Sequence, residues 1–416
     1  MASALLSTTP DFDNLMSPAN IQDPFPLYGW LRAHSPVHWN RYLGTWMLTR
    51  FEDVRSAFGD PLRFSSDSGE PLLKKASGLS PLGKASFDIG YRFFYQQIQT
   101  FDPPAHTAQR ALIAKAFTPR IMENMRASIQ IRVDYLIDRL NESRNADFIS
   151  QFAYPLPSLV IFDLLGVPEE HYAALRTSAA AFARFPPALH ARDSRALEEI
   201  AENLTNTERL LQRLISERRA NGRNDLLSAL VNAKEGGSGT LTDEELIVLC
   251  NFLLFAGHET TANLLGGSVF HLLQNRMLWN QLKDSPELWG NALEELLRFV
   301  SPVLTVARVL KEDFECHGTI LKKGERISLM IGAANHDPTQ FENPDQLELE
   351  RPKPHSVAFG HGIHYCIGAA LARLETQIAL SSLFRRLPDM RLTTPTVEYQ
   401  PVFFLRALKS LQVAAQ

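Results

Sequence analysis

The chain has 416 residues, is 45% hydrophobic and 21% charged, and carries a formal net charge of -4. That composition supplies a large apolar core at ordinary charge density. It offers no sign of the basic face that nucleic-acid binding needs.

Residues 1–23 read as a flexible N-terminus, ending in the Pro-rich run Asp23-Pro24-Phe25-Pro26. Val37-His38-Trp39 and Thr45-Trp46-Met47-Leu48 alternate around a turn at Gly44 and predict a hairpin. From 65 to 100, periodicity is weak and Gly, Ser and Lys are frequent, which predicts a long loop with at most a short helix. Helical spacing follows over 121–140, 156–165, 169–184, 194–219 and 225–234. Pro186-Pro187 and Gly236-Gly237-Ser238-Gly239 interrupt it. Thr242-Asp243-Glu244-Glu245 is a capping box. It opens a helix running to about Asn275, roughly 50 Å long and apolar on most faces at first, hence buried. Ser285-Pro286-Glu287 supplies an N-cap and a first-turn proline for the next helix. Short strands are expected at 305–310, 314–316 and 326–329. A last long helix begins near Cys366, with Ile367, Leu371, Leu374 and Ile378 on one face. No repeat, low-complexity tract or linker breaks the chain, so one mainly α domain with a small β portion is expected over 1–416.

The three cysteines, Cys250, Cys316 and Cys366, make a poor disulfide framework and fit a reducing compartment. Met1 to Pro10 lacks the basic and apolar regions of a signal peptide. No run approaches the ~18 apolar residues of a membrane span. A cytoplasmic protein is the expectation.

The residues that carry chemistry lie in five places. Phe359-Gly360-His361-Gly362-Ile363-His364-Tyr365-Cys366-Ile367-Gly368 frames one cysteine with glycines, which permit positive φ and close approach. A thiol at a helix start is favoured as thiolate by free N–H groups and the dipole. It suits a metal ligand or a nucleophile; the competing reading is a buried structural cysteine. Ala256-Gly257-His258-Glu259-Thr260-Thr261 interrupts the long helix with a poor helix former and sets an acid and an alcohol beside it. The alternative there is a surface Glu and an ordinary Thr. Glu295-Leu296-Leu297-Arg298 puts opposite charges at i,i+3, as a surface pair or something more. Asp102-Pro103-Pro104-Ala105-His106-Thr107-Ala108-Gln109-Arg110 puts two bases at i,i+4. Ala307-Arg308-Val309-Leu310 sets a single base in a strand.

Together these segments resemble the cytochrome P-450 superfamily, from about Pro24 to Leu411. The cysteine segment matches every fixed position of Phe-x-x-Gly-x-x-x-Cys-x-Gly. The resemblance implies a mainly α cytochrome P-450 fold, with heme b between the long oxygen-activating helix and the cysteine loop and helix. It makes Cys366 the ligand of the heme iron, Phe359 a neighbour that tunes the sulfur, and Gly368 part of the same cradle. His106, Arg110, Arg308 and His364 would hold the heme propionates, and Ala256 would face the heme. Ala105 stands where bacterial members often have Glu. The resemblance assigns Glu259 and Thr260 to activation of dioxygen, the co-substrate. It makes Glu295–Arg298, with Arg351 as third member, a buried structural ion pair beneath the cysteine loop.

The family relationship implies a heme-thiolate monooxygenase that inserts one oxygen atom into a hydrophobic small molecule by hydroxylation or epoxidation. Natural-product, terpenoid, steroid and fatty-acyl substrates all suit it. The other reading is a heme-binding sensor or carrier, against which the Glu259–Thr260 pair argues. No Gly-x-Gly-x-x-Gly after a strand and no cysteine cluster occurs, so electrons are expected from an external ferredoxin or flavodoxin with its NAD(P)H reductase. A monomer is expected. The substrate pocket implied is aromatic: Phe252 and Phe255 on the long helix, Thr305 and Val306 beside the heme, and Phe403 and Phe404 from the C-terminal loop. Phe87 and Phe94, in a lid over 85–98, would face Phe182 and Phe185.

Overall fold

The strands Val37–Asn40 and Thr45–Leu48 pair antiparallel, with Gly44 at φ +61° in the turn between them. They form one edge of a five-stranded sheet in a computed structural model that describes residues 12–67, 76, 78–142, 145–233, 240–352 and 355–415. Thr45–Leu48 runs parallel to Arg326–Leu329, which pairs antiparallel with Val306–Leu310; Phe64–Ser65 closes the other edge. The sheet packs its apolar face against the helix Phe51–Gly59, whose Phe51, Val54 and Phe58 join Leu48, Leu310, Ile327 and Leu329 in one core. Two smaller sheets join Ala146–Asp147, Gln412–Ala414 and Arg391–Leu392, and Phe314–Cys316 with Thr319–Leu321.

The chain folds as two compact units. One comprises Met1–Ser65, Gln130–Leu156 and Thr260–Gln416 and contains all three sheets; the other comprises Ser66–Ile129 and Pro157–Glu259. Their segments interleave, and the helices Pro119–Asn141, Pro155–Leu165 and Asp243–Gln274 run through the boundaries. A division that falls inside helices leaves no linker composition, so the sequence reads as one domain.

The long helix spans Asp243–Gln274. Its capping box forms: Thr242 N donates to Glu245 Oε2 at 2.8 Å, and Glu245 N donates to Thr242 Oγ1 at 3.2 Å. Gly266 and Gly267 sit inside it because a Cβ there would come within 2.5 Å of Ile149 and Val300. Helices also form at Ser194–Ala220 and Leu226–Asn232 as expected, while Gly236 to Gly239 lie outside the described residues.

Six expectations are corrected. The expected flexible terminus is folded from residue 12: Leu15 is buried with Leu27 and Leu31, and Asn20 Nδ2 donates to the carbonyls of Phe12 and Asn14. Residues 1–11 lie outside the described residues. The expected long loop at 65–100 contains a 15-residue helix, Pro81–Tyr95, capped by Ser80 Oγ. Glycine misled there: a Cβ at Gly90 would lie 2.1 Å from the Phe185 ring, so Gly90 serves close packing and not a turn. Pro186-Pro187 opens the short helix Phe185–Ala191 instead of breaking one, in keeping with the preset φ of proline in a first turn. Between Gln274 and Ser285 an unforeseen helix, Arg276–Asp284, buries Trp279 and Leu282. Ser285 then makes no side-chain cap; a single 3-10 turn, Pro286–Leu288, leads into Trp289–Val300. The last long helix starts at Ala369, three residues after Cys366.

Candidate active site

In the first unit, the cysteine segment is a tight loop. Gly360 and Gly362 both adopt positive φ, +72° and +71°, and a Cβ on Gly362 would meet the Phe58 carbonyl at 2.5 Å. The loop therefore needs glycine for conformation and for close approach to the Phe51–Gly59 helix. Cys366 N donates to Phe359 O at 2.9 Å, closing the loop and bringing the cysteine to the Ala369–Arg386 helix start. Cys366 is exposed, whereas Cys250 and Cys316 are buried. Burial pushes the Cys250 thiol up to about 12 and that of Cys316 to about 11, so neither is poised as a thiolate.

Beneath the loop lies a polar network. Glu295 and Arg298 are both fully buried and pair at 2.7 and 2.8 Å through two parallel bonds. Arg351 Nε reaches Glu295 Oε2 at 3.0 Å, so the structure brings all three residues together. Arg298 also donates to the carbonyls of Asn335, Pro344 and Gln346. Asn335 Nδ2 donates to Ser301 Oγ, and Asn335 Oδ1 accepts from Val357 N at 2.9 Å, two residues before Phe359. The buried charges are thus fully engaged in holding irregular backbone, which answers their desolvation cost.

Arg308 is buried in the strand Val306–Leu310, its guanidinium 5.4 Å from the Phe58 ring centroid. His364 ends the 3-10 turn Gly362–His364. Thr305 is buried and Val306 half-buried. The C-terminal loop is tied alongside, with Leu304 N donating to Phe404 O at 2.9 Å, which sets Phe403 and Phe404 next to that strand.

In the second unit, the helix Ala105–Ala116 carries His106, buried, and Arg110, half-buried, one turn apart. Burial lowers the His106 pKa and the Arg110 charge lowers it further, against the opposing pull of Asp102. An anion beside the two would pair with Arg110 and favour the protonated form of His106. The long helix leaves Phe252, Phe255, Ala256 and Glu259 half-buried in this unit, and Thr260, where the first unit resumes, half-buried as well. Gly257 faces Ile161, whose Cδ1 would lie 3.3 Å from a Cβ there.

A family model described as cytochrome P450 matches residues 71–284 and 286–401. The chain belongs to the cytochrome P450 family. The polyketide biosynthesis cytochrome P450 PksS of Bacillus subtilis is 35% identical over 401 residues, covering 94% of this chain and 96% of that protein. The biotin biosynthesis cytochrome P450 of the same organism is 35% identical over 403 residues, with 94% and 96% covered. The crystal structure of P450BioI in complex with hexadec-9Z-enoic acid ligated acyl carrier protein matches with a TM-score of 0.85 at 33% identity, covering 96% and 99%.

This P450 is therefore a heme-dependent monooxygenase that uses dioxygen, with a mainly α fold and a small β portion. Its residues fit that group: the first unit offers an exposed thiol on a glycine-built loop and a buried Arg in a strand, and the second unit by itself offers a His–Arg pair suited to an anionic propionate. No helix among the described residues is long and apolar enough to cross a membrane.

The aromatic pocket expected for the P450 is only partly available. Phe87, Phe182 and Phe185 have at most 1% of their surface accessible, so they are core and not lining. Phe182 stacks on Phe94 and meets Phe255 at a tilt, each 4.8 Å away by ring centroid, and Phe185 lies between Phe87 and Phe94. Phe94, Phe252 and Phe255 keep accessible surface. The lid expected over 85–98 is mostly the Pro81–Tyr95 helix, anchored by Arg92 to Glu208.

Sequence reasoning missed two supports of the P450 cysteine loop. Phe58 touches Gly360, Gly362 and Arg308, and nothing in its local pattern distinguishes it from core. Arg373 lies two turns beyond Cys366, pairs with Glu294, donates to the Tyr365 hydroxyl, and stands 4.6 Å over the Phe359 ring. The signal for it was a charge in the second turn of the helix that follows the cysteine, together with a second acid in the Glu294-Glu295 pair. A cleft of about 840 Å³ in the same unit, lined by Phe25, Trp30, His271, His336, Tyr399 and Arg406, includes none of the expected site residues.

Proposed function

We propose that this P450 inserts one atom of dioxygen into a hydrophobic fatty-acyl or polyketide-like chain, with electrons from an external ferredoxin or flavodoxin and its NAD(P)H reductase. The half-buried Glu259–Thr260 pair, directly after Gly257-His258 on the long helix, carries this reading. An acid and an alcohol in sequence can hold and move protons, which ligand binding alone does not need. That separates an oxygenase from a heme-binding sensor or carrier.

Cys366 is assigned as the heme ligand, with His106, Arg110, Arg308 and His364 on the propionates and Ala256, Phe359 and Gly368 along the heme. The heme, when bound, supplies dioxygen binding and reduction at its iron. With heme in place, Thr260 Oγ1 would hold a proton for delivery, and the Glu259 carboxyl would resupply it. Phe94, Phe252 and Phe255 of the second unit, and Val306 and Phe403 of the first, are the apolar side chains that would exclude water and orient an apolar chain. The class of substrate is supported by the half-buried aromatic side chains and by relatives whose names specify polyketide biosynthesis and a fatty-acyl carrier protein complex.

The experiment is turnover under isotopically labelled dioxygen with a surrogate ferredoxin and reductase, offering long-chain fatty acids, acyl thioesters and a steroid in parallel. One labelled atom in an acyl product is expected. Thr260→Ala should retain heme while diverting electrons into hydrogen peroxide. Preference for the steroid overturns the substrate class; full coupling in Thr260→Ala overturns the proton assignment.

A further inference from the structure

A separate group of donor side chains lies in the first unit, on the far end of the helix that supports the cysteine loop. Asp53 sits in the first turn of Phe51–Gly59, while Cys316 and His317 belong to the hairpin of Phe314–Cys316 and Thr319–Leu321. One ligating atom of each lies within 4.8 Å of the other two. His317 Nε2 is 2.8 Å from Asp53 Oδ2.

The hairpin explains how the donors come together. Cys316 pairs with Thr319 in the last rung, and the two turn residues, His317 and Gly318, have φ of 49° and 76°. Two positive φ values in a two-residue turn favour Asn-Gly or Asp-Gly. Histidine gains nothing from that backbone, and a non-glycine residue there is uncommon. Its imidazole is nevertheless aimed at Asp53. Cys316 is anchored from the other side, in the core cluster with Phe51, Val54 and Phe58.

We propose that Asp53, Cys316 and His317 form a binding site for Zn²⁺, with water in the fourth position. One sulfur, one imidazole nitrogen and one carboxylate oxygen are ligand types that Zn²⁺ accepts. Bonds of about 2.0–2.3 Å put tetrahedral donors roughly 3.3–3.8 Å apart. The observed cluster reaches that by closing its longest separation by about 1 Å and opening the Asp53–His317 pair by about 0.5 Å, within side-chain rotation at the exposed His317. The ion replaces the proton shared by Asp53 and His317 and displaces that of the buried thiol. A bound ion would tie the hairpin to the helix whose far end, Phe58 and Gly59, meets the loop at His361 and Gly362.

The test uses the heme-loaded enzyme, freed of adventitious metal by a chelator that leaves the heme spectrum intact. Calorimetric titration with Zn²⁺ should show one equivalent binding at micromolar strength or tighter, with a rise in Tm and no change in the Soret band. X-ray absorption at the zinc edge, which the heme iron does not obscure, should find one sulfur neighbour. Asp53→Asn, His317→Ala and Cys316→Ser should each weaken binding beyond the roughly 10–100-fold that losing a supporting group costs. Absence of binding, absence of a sulfur neighbour, or affinity unchanged in the variants overturns the site and leaves a plain Asp–His hydrogen bond. Should Cys316→Ser fail to fold, the absorption spectrum and the other two variants still decide.

Discussion

The loop around Cys366 and the aromatic layer between the helices Pro81–Tyr95 and Phe185–Ala191 solve opposite problems. The loop is irregular backbone that must be held still, and polar groups hold it: Glu295 grips Arg298 and Arg351, Arg298 grips three carbonyls, and Asn335 grips Val357 N. The aromatic layer is regular helix that must approach closely, and rings and a missing Cβ allow it: Phe87, Phe94, Phe182 and Phe185 interlock over Gly90. Polar networks are all-or-none, because one missing partner leaves a buried charge. Packed rings yield by degrees, because neighbours can partly collapse.

That difference orders the expected effects. Glu295→Ala leaves Arg298 and Arg351 buried without their carboxylate and should destabilise by about 3–5 kcal/mol, with loss of heme retention; denaturant unfolding and heme content measure both. A stable Glu295→Ala protein with full heme would show that the network is dispensable. Gly90→Ala drives a methyl into the Phe185 ring and should cost about 1–3 kcal/mol, with the heme spectrum unchanged. A larger loss, or loss of heme, would mean the aromatic layer is as brittle as the loop.

The smallest effect separates a third kind of buried group. Glu375, on the cysteine helix, is buried, and its Oε1 has no hydrogen-bond partner among the described residues. Burial raises its pKa well above the ordinary carboxyl value. A raised carboxyl is protonated in both folded and unfolded states at low pH. As pH rises through the unfolded value of about 4.3, only the unfolded state ionises, so folding loses stability until the folded group ionises too. Glu375→Gln removes that loss. Its stability relative to wild type should increase between about pH 4 and pH 7; a pH-independent difference would contradict the burial argument.

The polar half of the comparison was legible in the sequence because its residues do jobs few others can do. The glycines at 360 and 362 framing Cys366 carry meaning on their own, whereas Glu295 and Arg298 alone read as a surface pair and gained their buried role from the resemblance to the family. The apolar half was not. Phe87, Phe182 and Phe185 have the same local pattern whether they line a pocket or fill a core, and only their lost surface decides it. Gly90 read as a loop residue because sequence shows flexibility and not the ring that needs the space. The long helix was placed to within a residue at each end because Thr242 and Glu245 announce its start. The Arg276–Asp284 helix was missed because it is short and binds its neighbours through Trp279 rather than through a cap.

The central claim is that Cys366 binds the heme iron as a thiolate. Carbon monoxide added to the dithionite-reduced enzyme tests it directly. The account predicts the strongly red-shifted Soret band of a thiolate-ligated heme in wild type, and its loss in Cys366→Ser protein that still holds heme. A wild-type spectrum with the Soret band of a histidine-ligated heme, or a red-shifted band that survives Cys366→Ser, would contradict it.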